Sequence, residues 1–274
     1  MPISRRSSQG ASYRAVEGHT ARPFTACRKR RTARKLLAES SSATLGAANP
    51  PAIRSPIIAR QTRGKSAMRM ELPGLQRLTE HQLDAAVDSL TTAFQVDPST
   101  QLLLNAQRPS LARVRAFYRF TMRVALRHGH VFAAGDRAQG VCAWLPPEHV
   151  DVSAWMFLRA GGVRLGLDVD LGIYARLLRY EGYAARMHAR HAPFPHWYLF
   201  TIGVARDHQG QGLSGRLLRP AMAFLDRHGQ HSYLETHSER NITFYQKYGY
   251  QVAEVGRLPG TGAPHWCMLR RPQG

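Results

Sequence analysis

Residues 204–215 read Val-Ala-Arg-Asp-His-Gln-Gly-Gln-Gly-Leu-Ser-Gly, a glycine-rich segment between an apolar run and a helical pattern. The apolar run, Trp197–Val204, is typical of a strand that is buried on both faces. The helical pattern covers residues 213–228 and ends at Gly229. Glycines let the backbone approach a ligand closely, and the free N–H groups at a helix start favour an anion. The segment therefore predicts a phosphate-binding turn, with a tight turn that binds no ligand as the alternative.

The same glycines also fit a dinucleotide-binding fingerprint, Gly210-x-Gly212-x-x-Gly215, with Glu235 at the distance where a ribose-binding acid would lie. This pattern alone would suggest a nicotinamide-dependent oxidoreductase. However, residues 206–209 separate the strand from the first glycine, whereas the fingerprint needs an immediate turn. About 60 residues follow the turn, too few to complete a doubly wound sheet that starts here. The oxidoreductase is therefore the less favoured alternative.

Apolar periodicity predicts the other elements of the chain. Helices and strands are mixed, and a strand–helix–strand unit lies near the C-terminus, which indicates an α/β class. Asp97–Pro98 is expected to end the first helix. The predicted helices are 83–94, 110–128, 151–190 (broken near Gly161–Gly162 and Gly166), 213–228 and 239–248. The predicted strands are 131–134, 141–145, 197–204, 231–235, 250–255 and 265–269.

Length and composition limit the class of protein. The chain has 274 residues, 43% of them hydrophobic, which is enough for one large domain or two ordinary ones. Cys27, Cys142 and Cys267 show no Cys-x-x-Cys spacing, which argues against a disulfide framework and a Cys-rich zinc site. No apolar run approaches the roughly 18 residues of a membrane span. We therefore expect a cytoplasmic protein with no membrane partner.

The positive charge is concentrated at the N-terminus. The formal net charge is +20, and residues 1–67 hold 14 Lys and Arg against two acids. Few large apolar residues accompany this charge, so we expect a disordered basic leader (1–69) before one folded domain (70–274). Three explanations of the leader stay open: a transit peptide, a basic arm for nucleic acid, and a misassigned start with initiation at Met68 or Met70. No specific nucleic-acid partner is expected.

Two spaced motifs resemble those of the GNAT superfamily of acyl-CoA N-acyltransferases. Val204-x-x-x-x-Gln209-x-x-Gly212-x-Ser214 is similar to its pyrophosphate-binding motif, with Ser214 where Gly or Ala is usual. Residues 234–241 and 244–250 are similar to the second half of the same domain. The resemblance implies the GNAT fold: a central mixed, largely antiparallel sheet with a splayed pair of parallel strands, flanked by helices.

The branch within the superfamily is suggested by two further segments. Trp144–Pro147 and the final run Trp266–Met268 are similar to the puromycin N-acetyltransferase-like branch. The resemblance is strong over residues 196–270 and fainter over 75–195. It implies acetyl transfer to a primary amine of a small molecule, with an antibiotic-like amine as one option.

The resemblance also implies acetyl-CoA as co-substrate and no metal. Backbone groups of the strand would pair with the pantetheine arm, and the amides of the glycine turn would hold the pyrophosphate. Asn241, the last of the matched positions, would lie near the cofactor arm, and its alternative role is helix capping. The implied cofactor-binding residues are Ile202, Gly203, Val204, Gln209, Gly210, Gln211, Gly212, Leu213, Ser214, Gly215 and Asn241.

Two side chains are candidates for the chemistry. Tyr245 matches the position of the superfamily's general acid, since a phenol stays protonated at pH 7 and can donate to a leaving thiolate; its alternative is a core aromatic. Glu235 could take the amine proton directly or through water, or could be a structural carboxylate at the splayed strand. No Ser/His/Asp or Cys/His order indicates a covalent intermediate. Direct attack in a ternary complex is therefore expected.

The acceptor is expected in a cleft built by the first two helices, residues 151–192 and the loop 256–264. Its candidate wall residues, each also explained by core packing, are Phe94, Trp144, Trp155 and Tyr183. The pairs His188-x-x-His191 and His228-x-x-His231 lack a metal-binding pattern and are expected at the surface. A monomer or homodimer is expected. A non-catalytic protein, binding acyl-CoA or binding nucleic acid through the leader, remains an alternative.

Overall fold

The computed structural model describes residues 68–105 and 109–274. The predicted leader lies outside these residues except for its last two positions. The helices are α1 Leu83–Phe94, α2 Pro98–Leu103, α3 Leu111–His128, α4 Ala154–Arg159, α5 Gly162–Val169, α6 Leu171–His191, α7 Leu213–Arg227 and α8 Glu239–Gln246. The strands are β1 Gln76–Arg77, β2 His130–Ala134, β3 Gly140–Leu145, β4 Trp197–Val204, β5 Ser232–Thr236, β6 Gln251–Arg257 and β7 Pro264–Arg270. Over the described ranges, no helix has the length and apolar character needed to cross a bilayer.

The seven strands form one sheet in the order β1-β2-β3-β4-β5-β7-β6. All neighbours are antiparallel except β4 and β5, which run parallel. This confirms the predicted mixed, largely antiparallel sheet with helices around it. The doubly wound dinucleotide fold needs a mostly parallel sheet, so the oxidoreductase alternative is wrong at the level of topology.

The parallel pair is joined at one end only. Trp197 pairs with Ser232 and Tyr198 with Tyr233, and no further pair joins the two strands. From Leu199 onward the two strands separate, while β4 remains paired with β3 along its length. The middle of the sheet therefore contains a gap whose two sides are strand backbones.

Helices cover both faces of the sheet. Successive strand side chains point to opposite faces, so alternate residues of β3 enter different cores. Val141 and Ala143 pack in a core with α1, α3, α5 and α6. Cys142 and Trp144 pack in a second core with α7 and α8. The Trp144 side chain is fully buried there.

Helix α1 approaches the sheet closely at Gly203 of β4. A β-carbon at Gly203 would lie 2.7 Å from Phe94 Cε2 and 2.8 Å from Leu90 Cδ2. Real β-carbons do not occupy such distances, because protein interiors are close-packed. The missing side chain therefore lets the end of α1 lie against β4.

Most predicted elements are present with shifted ends, and the predicted break at Gly166 is wrong. Asp97–Pro98 does not only end a helix: Asp97 accepts hydrogen bonds from the N–H groups of Ser99 (2.9 Å) and Thr100 (3.3 Å) and starts α2. Proline suits the first helical position because its missing N–H would be unpaired there. The strand β1 was also not predicted, since it has only two residues.

The predicted break at Gly166 lies instead at Asp170. Gly166 is inside α5, and its α-carbon faces the ring of Tyr174. Asp170 has φ +82° and accepts a hydrogen bond from the Ile173 N–H at 2.9 Å, which starts α6. A side-chain cap thus breaks the helix where the glycine does not.

Candidate active site

The glycine turn follows the end of β4. Gly210 and Gly212 have φ +79° and +78°, a left-handed conformation that glycine adopts without strain. No atom of the described residues lies within 4 Å of the positions that their β-carbons would take. Gln209 Nε2 donates to the carbonyl of Val204 at 3.1 Å and fixes the turn to the strand end.

The turn presents a row of backbone donors. Within the described part of the chain, none of the N–H groups of residues 210–215 donates to a backbone carbonyl or a side chain. Gln209, Gly210, Gln211 and Gly212 are exposed. Unpaired amides at a helix start, with the positive end of the helix dipole behind them, form a site suited to a phosphate.

The first turn of α7 also contributes packing. The Leu213 side chain is buried in the core, and Ser214 is half-buried. A β-carbon at Gly215 would lie 3.1 Å from Tyr248 Oη. The side-chain positions of Leu213 and Gly215 therefore belong to the core, so these two residues offer a ligand only their backbone.

A cavity of about 400 Å³ lies where β4 and β5 separate. Ile202 of β4, Glu235 of β5, and Asn241 and Tyr245 of α8 all line it. Residues of α1, α3 and α6 also line it. The structure thus brings both candidate catalytic side chains, and two of the candidate cofactor-binding residues, to one cavity.

The predicted acceptor wall is largely different from the observed one. Phe94 lines the cavity, but Trp144 is buried in the core and Trp155 is 64% exposed. Tyr183 packs against the ring of His265 instead. The loop 256–264 does not line the cavity either. The aromatic side chains that do line it are Phe94, Phe117, Tyr118, Phe120, Tyr180, Tyr198, Phe200 and Tyr245.

Glu235 is held by two phenols. Tyr233 Oη donates to Oε1 at 3.0 Å, and Tyr198 Oη donates to Oε2 at 3.5 Å. Burial is the main cause that raises the pKa of both phenols, so each stays protonated and can donate. The Glu235 side chain is only 4% exposed. It is therefore a buried carboxylate with fixed geometry.

Tyr245 and Asn241 lie on α8, which follows β5. Tyr245 is buried between Phe244 and Tyr250, and burial raises its pKa well above the usual value, with a smaller contribution from Asp97. It is both a core aromatic and a protonated phenol at the cavity. Asn241 Nδ2 donates to Thr236 Oγ1 at 3.1 Å.

The helix-capping alternative for Asn241 is wrong. Ser238 occupies the N-cap position of α8, and Asn241 is the third residue of the helix.

The family comparison covers the part of the chain that includes β4, β5 and α8. Residues 161–250 match the model of the Acetyltransferase (GNAT) family. A solved structure described as histone acetyltransferase HPA2 and related acetyltransferase from Corynebacterium glutamicum has the same fold, with a TM-score of 0.53 and 21% identity. The likeness covers 74% of this chain and 98% of that chain. The chain is an acetyltransferase with the GNAT fold, and the family match itself covers residues 161–250.

Two further solved structures are similar to this acetyltransferase. The ribosomal-protein-S18-alanine N-acetyltransferase from Escherichia coli is 16% identical, with a TM-score of 0.41, over 73% of this chain and 94% of that one. Arylalkylamine N-acetyltransferase 2 from Aedes aegypti is 11% identical, with a TM-score of 0.49, over 73% of this chain and 98% of that one.

The acetyltransferase has a second carboxyl at the cavity that sequence reasoning missed. Glu181 of α6 is an exposed residue that lines the cavity, and desolvation of its carboxyl there, together with the charge of Glu235, raises its pKa to about 7. A carboxyl that titrates near neutral pH in a cavity is a candidate proton-transfer group. One sequence signal could have found it: Glu181 is the sole acid between Asp170 and Asp207.

Two buried histidine pairs also lie in this region of the acetyltransferase. His188 is buried and its Nε2 lies 2.6 Å from His196 Nε2, so its predicted surface position is wrong. Burial lowers the pKa of His188 to about 3. His237 Nε2 lies 2.9 Å from His265 Nδ1, and His265 is fully buried. Neither pair forms a spacing motif, because His188 of α6 meets a residue of the loop before β4, and His265 of β7 meets a residue that follows β5.

One group of metal-ligating side chain types exists within the described ranges. Ligand-type atoms of Glu235, His265 and Cys267 lie within 4.8 Å of one another. Burial raises the pKa of Cys267 to about 12, so the thiol is protonated and is not a ready zinc ligand. The metal-free reaction expected from the sequence stays a prediction.

Proposed function

We propose that this acetyltransferase transfers the acetyl group of acetyl-CoA to a primary amine of a small molecule, by direct attack with both substrates bound. The observation that carries the proposal is the shared cavity of Glu235 and Tyr245 beside the gap in the sheet. Acyl transfer from a thioester to an amine needs a proton acceptor and a proton donor on the two sides of the reacting carbon. A buried carboxylate and a protonated phenol can supply them.

The gap in the sheet supports a place for the co-substrate. The β4 backbone between Leu199 and Val204 has no partner on the β5 side, so the amides of a pantetheine arm can pair with Ile202, Gly203 and Val204 there. The unpaired N–H groups of residues 210–215 then receive the pyrophosphate. Gln209 fixes this turn to the end of the same strand.

The proposed reaction moves two protons. The amine nitrogen attacks the thioester carbon and forms the new C–N bond, and Glu235 takes a proton from the amine. As the C–S bond breaks, Tyr245 donates its proton to the departing sulfur. The phenols of Tyr198 and Tyr233 hold the Glu235 carboxylate in place during the transfer. An amine that arrives protonated first loses one proton to solvent, and the proton taken by Glu235 afterwards restores the Tyr245 phenol, so the net release is one proton for each protonated amine consumed.

The cavity walls support a partly apolar, positively charged acceptor. The lining side chains among the described residues include no Lys or Arg. Its acids are Asp97, Asp151, Glu181 and Glu235. Aromatic faces and carboxylates both attract an ammonium group. An amine with an aromatic part, as the resemblance to the puromycin N-acetyltransferase-like branch suggests, fits this lining.

The first experiment is a thermal melt of the full chain with acetyl-CoA, CoA, NAD or no ligand. A ligand at about a hundred times its dissociation constant stabilises by roughly 2.7 kcal/mol, which shifts Tm by several degrees. We expect a shift with acetyl-CoA and CoA and none with NAD. Release of CoA thiol is then measured with puromycin, tyramine and spermidine. A CoA shift without turnover of any amine would favour the non-catalytic alternative, and no shift at all would overturn the proposed co-substrate site.

A further inference from the structure

The His237–His265 pair lies beside Glu235, and the reaction as proposed does not use it. His265, on β7, is fully buried, and His237 follows β5 and lines the cavity. Because β5 and β7 are antiparallel neighbours, His265 and Glu235 come from adjacent strands. The pair is therefore placed by the sheet itself rather than by a loop alone.

One nitrogen of this pair has no partner. His265 Nδ1 is 2.9 Å from His237 Nε2, whereas His265 Nε2 has no hydrogen bond within the described residues and lies 3.5 Å from Glu235 Oε1. A buried polar atom without a partner is rare and requires an explanation. An Nε2–H group facing a carboxylate would form a short hydrogen bond. At 3.5 Å from Glu235 Oε1, Nε2 makes no such short bond.

The two nitrogens of His265 are thus distinguishable. If Nε2 is bare, a neutral ring carries its proton on Nδ1 and donates it to His237 Nε2. His237 can accept because burial, with a smaller contribution from His265, lowers its pKa to about 3 and keeps its ring neutral. The Nδ1–H group of His265 is then paired with His237, and Nε2 is the nitrogen of His265 that remains without a partner.

We propose that His265, held in this tautomer by His237, accepts a hydrogen bond from Glu235 when Glu235 takes the amine proton. This inference rests on the proposed function of Glu235 as base. Before the reaction, Nε2 faces an acceptor and is unpaired; afterwards, the new carboxyl O–H donates to it. Hydrogen bonding to the neutral form of an acid makes the ionised form a stronger base. His265 and His237 are therefore positioning residues that act through Glu235.

A direct test is the ¹⁵N NMR spectrum of His265 in the full chain, since the two ring nitrogens have different shifts in the two tautomers. We expect a protonated Nδ1 and a bare Nε2. A protonated Nε2 would overturn the proposal, because that nitrogen could no longer accept. The assignment is made by comparing wild type with His265→Gln.

Kinetics provides the second test, with CoA release from the amine that turns over fastest among puromycin, tyramine and spermidine. In His265→Leu we expect the acid limb of kcat/KM to move down by about one pH unit and kcat to fall about tenfold. His265→Gln offers an oxygen acceptor and should restore part of the loss. An unchanged acid limb in His265→Leu would overturn the proposal.

Other titratable groups near the pair need a control. They are Tyr180, Glu181 and Tyr183 of α6, Tyr198 of β4, Tyr233 of β5 and Cys267 of β7. The tyrosines and the cysteine have raised pKa values, so below pH 9 Glu181 is the member whose charge changes. The profiles are therefore repeated in a Glu181→Gln background, where the shift should persist.

A histidine outside the cavity, His130 of β2, offers a control variant. His130→Leu removes a half-buried histidine that packs against Phe132 and Trp197 and does not line the cavity, and it should leave the acid limb unchanged. An equal shift in His130→Leu would indicate a general structural effect and overturn the proposal. Glu235→Gln distinguishes the role of Glu235 as base from the positioning role of His265. If Glu235→Gln retains full activity, the base assignment fails as well; if it loses activity while both His265 variants match wild type, only the positioning role fails.

Discussion

Gly203 of β4 and Phe94 of α1 are packed so closely that a β-carbon on the glycine would lie 2.7 Å from the phenylalanine ring. Phe94 also lines the cavity, so the same contact sets one wall of the candidate active site. The glycine at position 203 therefore sets both the distance between α1 and β4 and the position of the Phe94 ring at the cavity.

Gly203→Ala should lower the stability of the fold by about 1–3 kcal/mol, because overpacking forces side chains or backbone to shift. Thermal or urea unfolding of the full chain measures the change. Gly140→Ala on the adjacent strand is the matched control, since its β-carbon would meet Leu217 Cδ1 at 3.2 Å and a flexible side-chain end can move. Equal losses in the two variants would contradict this account of the α1 contact.

Gly212→Ala should weaken CoA binding by at least tenfold. The new methyl group meets no described atom, but it forces an alanine into φ +78° at the N-terminus of α7 and projects into the space proposed for the pyrophosphate. Calorimetric titration with CoA measures the affinity. Gly229→Ala carries comparable backbone strain (φ +62°, no atom within 4 Å) after the other end of α7, so it should lose stability without losing affinity.

Tyr245→Phe should lower kcat about a hundredfold and leave CoA affinity nearly unchanged, since a general acid contributes 10²–10⁴-fold and the ring itself is kept. Steady-state kinetics and CoA titration give the two numbers. Tyr250→Phe is the control: it removes a neighbouring buried hydroxyl, bonded to Ser232 at 2.7 Å, that does not line the cavity. Turnover at the wild-type rate in Tyr245→Phe would remove this phenol from the mechanism.

Glu181 should make stability depend on pH. Glu181 is an exposed residue, but desolvation of its carboxyl at the cavity, with a smaller contribution from the charge of Glu235, raises its pKa in the folded protein to about 7, so the fold disfavours the ionised form. The group therefore contributes no penalty below about pH 4.5, and the fold loses stability as pH rises through about 7. The Tm of Glu181→Gln should gain on wild type between pH 5 and 8. Glu148→Gln, an exposed carboxyl outside the cavity, should show no such trend.

Local sequence features predicted the fold better than the walls of the site. The run Trp197–Val204 and the glycine turn predicted β4, the start of α7 and the strand–helix–strand unit. These elements were predictable because a strand buried on both faces and a glycine turn each depend on residues that are adjacent in the sequence. The positions of Glu235 and Tyr245 followed from the same unit. The resemblance to the superfamily added the mixed sheet, which periodicity alone did not specify.

The features that were missed depend on distant segments. Trp144 and Phe94 are both aromatic in the sequence, but the alternation of β3 places Trp144 in the core with α7 and α8, whereas Phe94 ends α1 at the cavity. Glu181 reaches the cavity because α6 crosses the sheet near β5. His265 meets His237 because β7 inserts between β5 and β6. No residue spacing in the sequence predicts the contact between His265 and His237 or the position of Glu181 at the cavity.

The two-pair contact between β4 and β5 has a consequence for folding. It leaves an edge in the interior of the sheet, where a strand backbone is flanked by its own chain on one side only. Interior edges open locally at low free energy, so amide exchange along β4 should be faster than along β3. A pantetheine arm lying on that edge would act as a guest strand, as peptides do when they extend a sheet. Binding of the co-substrate and completion of the sheet would then occur together, as one cooperative step.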